Sequence, residues 1–221
     1  SICNINGDIT VEGWDSDQVE VVYIITCDDQ EEMDAIDVLC DLSNGIECEV
    51  EYHEDWDENH SGEVVFLVKV PENLALDYEL IDVNGDVSMS SASGTLCIEV
   101  VNGDITATDF DGKAVLELVN GSVTASGIPE LDEIGIVNGD ITCFVSELNN
   151  DLSLSGVNGE ITVDLAATAR VEIETIHGDI DVSDGFNARI EEKIVGASAT
   201  FGEGEHLIEI STVSGDIEIN D

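Results

Sequence analysis

The sequence predicts an all-β chain: a single-chain β-solenoid, parallel β-helix-like, of 18–20-residue rungs, with an antiparallel β insert near the N-terminus. Three observations predict it. A hexapeptide centred on Val-Asn-Gly-Asp-Ile-Thr recurs at near-constant spacing. Apolar residues alternate with polar ones around each copy. The stretch from 14 to 75 breaks that rhythm. The chain therefore divides into a repeat-like first strand (1–13), an antiparallel β insert (14–75) and a solenoid array (76–221).

The first copy is Ile5-Asn6-Gly7-Asp8-Ile9-Thr10. The array resumes at Val83-Asn84-Gly85-Asp86, and its central positions are 85, 103, 121, 139, 159, 178, 197 and 215, with Ala197 standing for Gly in a degenerate copy. Residues two and four after the Gly are mostly apolar, as in Ile105 and Ala107 or Ile217 and Ile219. Residues two and five before it are apolar too, as in Ile98 with Val101 and Leu116 with Val119, and all are expected in the core. This period-two alternation is strand geometry, and Asn-Gly supplies a corner because both residues tolerate positive φ. Each unit is too short for a helical crossover, so one turn per repeat follows, with equivalent residues stacked about 4.8 Å apart.

Stacking puts Asn84, Asn102, Asn120, Asn138 and Asn158 in one column, where side-chain amides can hydrogen-bond up the ladder. The residue after the Gly forms an acidic column of Asp86, Asp104, Asp140, Glu160, Asp179 and Asp216. Two readings stand for it. Like charges at that spacing invite Ca2+ or monovalent cations between them, or the acids sit on solvated corners and are screened by salt. No other cofactor is expected.

In the insert, Val19 to Ile25 alternate as a strand, and Val64, Phe66, Val68 and Val70 form another, ended by Pro71. Between them Ile36, Val38, Cys40 and Leu42 face Tyr52, Val50, Cys48 and Ile46 across a Ser43-Asn44-Gly45 loop. That register sets Cys40 opposite Cys48, as a disulfide or as two buried thiols. Asp55, Asp57 and Asn59 begin like a calcium loop but lack its Gly and distal Glu, so an acidic hairpin tip is expected there.

With 51 acids against 5 bases, the net charge of −46 repels nucleic acid and anionic lipid. Such a surface suits a halophilic, archaeal setting. No apolar stretch reaches the roughly 20 residues of a membrane helix. The start at Ser1 fits a chain whose leader has been removed, and fits an excised segment equally well. None of the six cysteines forms CxxC, which excludes zinc-ribbon and thioredoxin chemistry and suits extracellular disulfides. Asn59 and Asn120 begin N-glycosylation sequons.

The run Ile5-Asn6-Gly7-Asp8-Ile9-Thr10-Val11-Glu12-Gly13-Trp14-Asp15, the Val70-Pro71 strand end and Leu80-Ile81-Asp82-Val83-Asn84-Gly85-Asp86-Val87 resemble the DUF4097 adhesin-like family over essentially the whole chain. The resemblance implies a β-solenoid at the cell surface and transfers no catalytic residue. The expected function is therefore that of a non-enzymatic extracellular structural protein. An open C-terminal rung that meets a neighbour's N-terminal face would make it a head-to-tail surface filament, with itself or cell-surface components as partners. A monomeric cation-binding or glycan-binding surface domain is the alternative. A polysaccharide-active β-helix enzyme is a remote one, since His53, His60, His177 and His206 lack ligand or nucleophile spacing.

Overall fold

The computed structural model describes residues 1–43, 45–53, 62–186, 188–192 and 196–221. The Asp55–Asn59 segment, including the Asn59 sequon, lies outside them. In chain order the strands are β1 (Ile2–Asn6), β2 (Ile9–Trp14), β3 (Glu20–Thr26), β4 (Ile36–Asp41), β5 (Glu47–Tyr52), β6 (Glu63–Pro71), β7 (Ala75–Asn84), β8 (Val87–Asn102), β9 (Ile105–Asn120) and β10 (Val123–Ser126). They continue as β11 (Glu130–Asn138), β12 (Ile141–Val145), β13 (Leu152–Asn158), β14 (Ile161–Leu165), β15 (Arg170–His177), β16 (Ile180–Val182), β17 (Arg189–Glu192), β18 (Ala197–Phe201), β19 (Leu207–Ser214) and β20 (Ile217–Asn220).

Each Asn-Gly corner joins two parallel stacks. Strands entering the corners stack as β5, β1, β7, the end of β8, the end of β9, β11, β13, β19 and β15. Strands leaving them stack as β6, β2, the start of β8, the start of β9, β10, β12, β14, β20 and β16. The predicted solenoid is therefore present, with one rung per repeat. Its register keeps equivalent residues in columns: Phe66, Ile9, Val87, Ile105, Val123, Ile141, Ile161, Ile217 and Ile180 lie one above another. Nine side chains at about 4.8 Å per step span roughly 38 Å.

The stack departs from chain order at both ends. The first copy sits between the insert's rung (β5 and β6) and β7–β8. The last copy, β19–β20, sits between β13–β14 and β15–β16. The expected open C-terminal rung is thus paired on both sides. Ala197 does not join the Gly column either: β18 runs antiparallel to β15, with Ala197 opposite Thr175. Its segment lacks an Asn-Gly corner and serves as a cover instead. Antiparallel strands flank both strands of the rung at one end, β4 on β5 and β3 on β6, and the entering strand at the other, β18 on β15 with β17 on β18, while β16 pairs with β20. The insert is accordingly a mixed sheet that contributes a rung to the common core. The β4–β5 register matches the predicted hairpin, and Cys40 and Cys48 form a disulfide.

One short helix, α1 (Gln30–Asp34), was not expected. Asp29 caps it by accepting from the amides of Glu31 and Glu32, and Glu32 reaches back to the Asp28 amide.

The core also corrects one sequence expectation. Residues three and five before the Gly point inward, such as Val100 and Ile98, while the residue two before it is outward: Val101 is 40% exposed. The chain has already begun its corner there.

The Gly column holds the stack at its closest approach. Gly121 has φ +140°, and a Cβ on it would lie 1.8 Å from the Gly103 carbonyl oxygen. Gly135 has no such constraint, with its nearest neighbour, Ser155 Oγ, at 3.7 Å. We expect Gly121→Ala to cost roughly 3 kcal/mol or more in urea unfolding and Gly135→Ala to stay within about 0.5 kcal/mol.

Candidate functional face

The outer side of the entering stack carries the feature most unlike a solvated surface. Val101, Val119, Val137, Val157, Val213 and Ile176 form an exposed apolar column that runs from β8 to β15. Alongside it stand exposed glutamates on the same sheet, among them Glu79, Glu99, Glu117, Glu133 and Glu209. A shallow groove of about 440 Å3 follows the valines from Val83 to Val157 across Glu99, Glu117, Gly135 and Ser155. Gly135 and Ser155 interrupt the glutamate column and leave the groove its depth.

At the corner beside the valines, the predicted amide ladder forms. Each Asn Nδ2 donates to the Oδ1 of the Asn one rung nearer the N-terminal end at 2.9 Å, from Asn84 to Asn6 up to Asn158 to Asn138. Ser214 and then His177 continue the column without an amide. Asn120 Nδ2 also reaches the Val101 carbonyl at 3.4 Å, so a glycan there would displace one of two bonds.

The acidic column binds backbone. Asp86 Oδ1 accepts from the Asp104 amide, Asp104 from Ser122, Asp140 from Glu160 and Asp216 from Asp179, each at 2.8 Å. Glu160 meets its Thr162 hydroxyl at 3.5 Å instead. These four Asp side chains thus each satisfy an amide of the adjacent corner, a demand that exists without a cation. Among the described residues no three His, Cys, Asp or Glu side chains converge as a metal-binding group.

Sequence reading missed a buried polar pair. Asn4 and Asp82 occupy the inward position that Val100, Leu118 and Ile136 fill in later rungs. Asp82 is 0% exposed. Its Oδ1 accepts from the Asn84 amide at 3.0 Å, and Asn4 Nδ2 lies 3.4 Å from its Oδ2 while donating to the Gly7 and Val64 carbonyls. Burial pushes its carboxyl up to about 6, against the pull of the Asn84 amide and Asn4. Two carbonyls from separate segments meet here, which is why the column turns polar. An Asp at an otherwise aliphatic repeat position was the available signal.

Four cysteines remain thiols: Cys3, Cys27, Cys97 and Cys143. Cys143 fills the inward column between Ala125 and Val163, and burial pushes its thiol up to about 12, so it packs as a small apolar side chain. His206 Nδ1 stands 3.8 Å from Asp151 and His53 Nε2 2.9 Å from Asp37, two separate exposed pairs.

The fold and this face define a parallel β-solenoid flanked by antiparallel strands, whose repeat positions build a ladder and a groove. The chain belongs to the Toastrack DUF4097 family, whose profile matches residues 85–220. The N-terminal run Ile5 to Asp15 lies outside that match. Among solved structures it is similar to a candidate cell adhesion protein from Clostridium sporogenes ATCC 15579, at 14% identity and TM-score 0.38, covering 99% of this chain and 91% of that one. It is similar also to a candidate adhesin from Bacteroides fragilis NCTC 9343, at 10% identity and TM-score 0.39 with the same coverage. Both likenesses are too distant to bear on function. No curated protein matches the sequence.

Asp82 makes stability depend on pH. The unfolded carboxyl ionises near 3.8 and the folded one near 6, so the folded state binds the extra proton between those values. Its contribution is full below about 3.8 and is lost as pH rises through about 6. Denaturant melts of Asp82→Asn against the parent should show the variant gaining relative stability from pH 4 to pH 7.

Proposed function

We propose that the protein is a non-enzymatic, adhesin-like protein of the extracellular surface that works as a discrete rod. The observation that carries this reading is the continuous valine column set among glutamates. Exposed β-branched residues in a row cost solubility, and in a chain of charge −46 they are out of keeping with a purely solvated face. Their partner is a surface component that offers apolar groups with positive charge, the complement of what the groove presents. The Cys40–Cys48 disulfide suits an oxidising extracellular compartment. No described helix is long and apolar enough to cross a membrane.

Head-to-tail joining into a filament is the second reading. The stack's ends favour the discrete rod, since antiparallel strands lie over β5, β6 and β15, three of the four strands of the terminal rungs. A filament would have to pair the outer edges of β3 or β4 with that of β17, where Leu39 and Ile190 are exposed, against strong mutual repulsion. The acidic column Asp86, Asp104, Asp140, Glu160, Asp179 and Asp216 could offset that repulsion by taking up Ca2+ or monovalent ions.

Negative-stain micrographs at molar KCl, with and without calcium, should show discrete particles; filaments would instead favour polymerisation. Beads coated with the protein should adhere to envelopes of the cells that make it, and Val119→Glu with Val137→Glu should weaken adhesion at least tenfold without changing the thermal melt. Undiminished adhesion would remove the valine face from the reading.

A further inference from the structure

A strand at the edge of a sheet leaves every second amide and carbonyl without a partner, and proteins commonly guard such edges with charge. Among the described residues four strands stand at an edge of this fold. Three of them carry charge along their length: β4 has Asp37 and Asp41, β16 has Asp181, and β17 has Arg189 and Glu191. The fourth, β3, pairs with β6 alone and has no charge after Glu20. In a chain with 51 acids, its free edge reads Val21-Val22-Tyr23-Ile24-Ile25-Thr26.

This strand is also poorly covered. Val22 and Ile24 share the outer face with Leu67 of β6, and all three are exposed. Tyr23 lies opposite Phe66 on the other face, with the two rings 6.2 Å apart. Phe66 is fully buried, yet Tyr23 is 46% exposed, because no described strand follows it.

The segment reads alike in both directions about Tyr23, with two β-branched aliphatic residues before it and two after. Antiparallel pairing with an identical strand, about a two-fold axis at Tyr23, sets Val22 against the second copy's Ile24 and Val21 against its Ile25. The two Tyr23 side chains then face each other. Glu20 meets Thr26, so no acid opposes an acid, and Lys69 stands opposite Glu20 on β6 within each copy. A net charge of −46 drives two copies apart over most of the surface, whereas this contact is free of like charges.

We propose that the β3 edge joins two copies of this chain, pairing β3 to β3 antiparallel about a two-fold axis into a closed dimer with the insert ends together. Such a joint uses the same edge on both copies, so it stops at two and builds no filament. It belongs to the leaving stack and the valine column to the entering one, so either reading can fail alone.

The test is sedimentation of the 221-residue chain over a range of concentrations. In KCl at about 1 M, where the Debye length falls to about 3 Å, a reversible monomer–dimer equilibrium is expected, shifting towards monomer in dilute buffer. Val22→Glu and Ile24→Lys both alter the exposed outer face, so each should leave the thermal melt unchanged and weaken the dimer about tenfold or more. Mixed in equal amounts, the two variants should recover the dimer, because the register sets position 22 of one against position 24 of the other with opposite charges. A chain that stays monomeric at every concentration would leave the edge to a strand of another protein and overturn the proposal. Association that continues past two copies, undiminished pairing of the variants, or no recovery on mixing would overturn it as well.

Discussion

Everything in this molecule depends on how closely successive corners approach. Gly carbonyl oxygens lie where the Cβ of the next rung's corner residue would be, from Gly85 over Gly7 to Gly178 over Gly215. That contact forces Gly at the corner and fixes the rung spacing. Once the spacing is set, the residue on each side of the Gly meets its counterpart at hydrogen-bonding distance. Asn then bonds Asn, and Asp accepts from the following amide. The inward columns of Ile, Val and Leu come into register by the same constraint.

The acids therefore answer two separate demands. Asp86, Asp104, Asp140 and Asp216, each just after a Gly, satisfy backbone amides and are specified by geometry. On the outer faces a few more cap the chain locally, as Asp29, Asp41 and Asp151 accept backbone amides, and the surface acids together set the net charge of −46. The few cations are spent locally: Arg189 meets Glu191 at 2.7 Å, Lys113 meets Asp132 at 3.7 Å, and Lys69 lies over the Trp14 ring at 5.4 Å. Exposed pairs of this kind contribute little stability, so the fold rests on its columns and not on its charges.

The period, the Asn ladder, the hairpin register and the Cys40–Cys48 pairing were legible because each follows from local spacing. Three features were not. Val101 and its counterparts share the apolar character of core residues, and period-two reasoning cannot say where the corner begins. Asp82 and Asn4 lie far apart in sequence, and only stacking across the insert reveals that each buried group has the other for company. The position of β19–β20 was illegible because every repeat offers the same edges, so equal spacing says nothing about the order of stacking. The cover strand β18 misled for a related reason, since residues 195–200 mimic the spacing of a rung without its corner.

The interleaved last copy has a consequence for synthesis. Strands β13–β14 and β15–β16 are neighbours in sequence but never touch as rungs, because β19–β20 lies between them. The solenoid cannot zip up one turn at a time as the chain leaves the ribosome. Residues 170–182 have no parallel partner until 207–220 have been made and threaded into the gap. The far end of the stack is therefore assembled late and all at once, with the nascent strand edges exposed in the meantime. In such a window a surface that repels its own copies protects the unfinished chain from premature association.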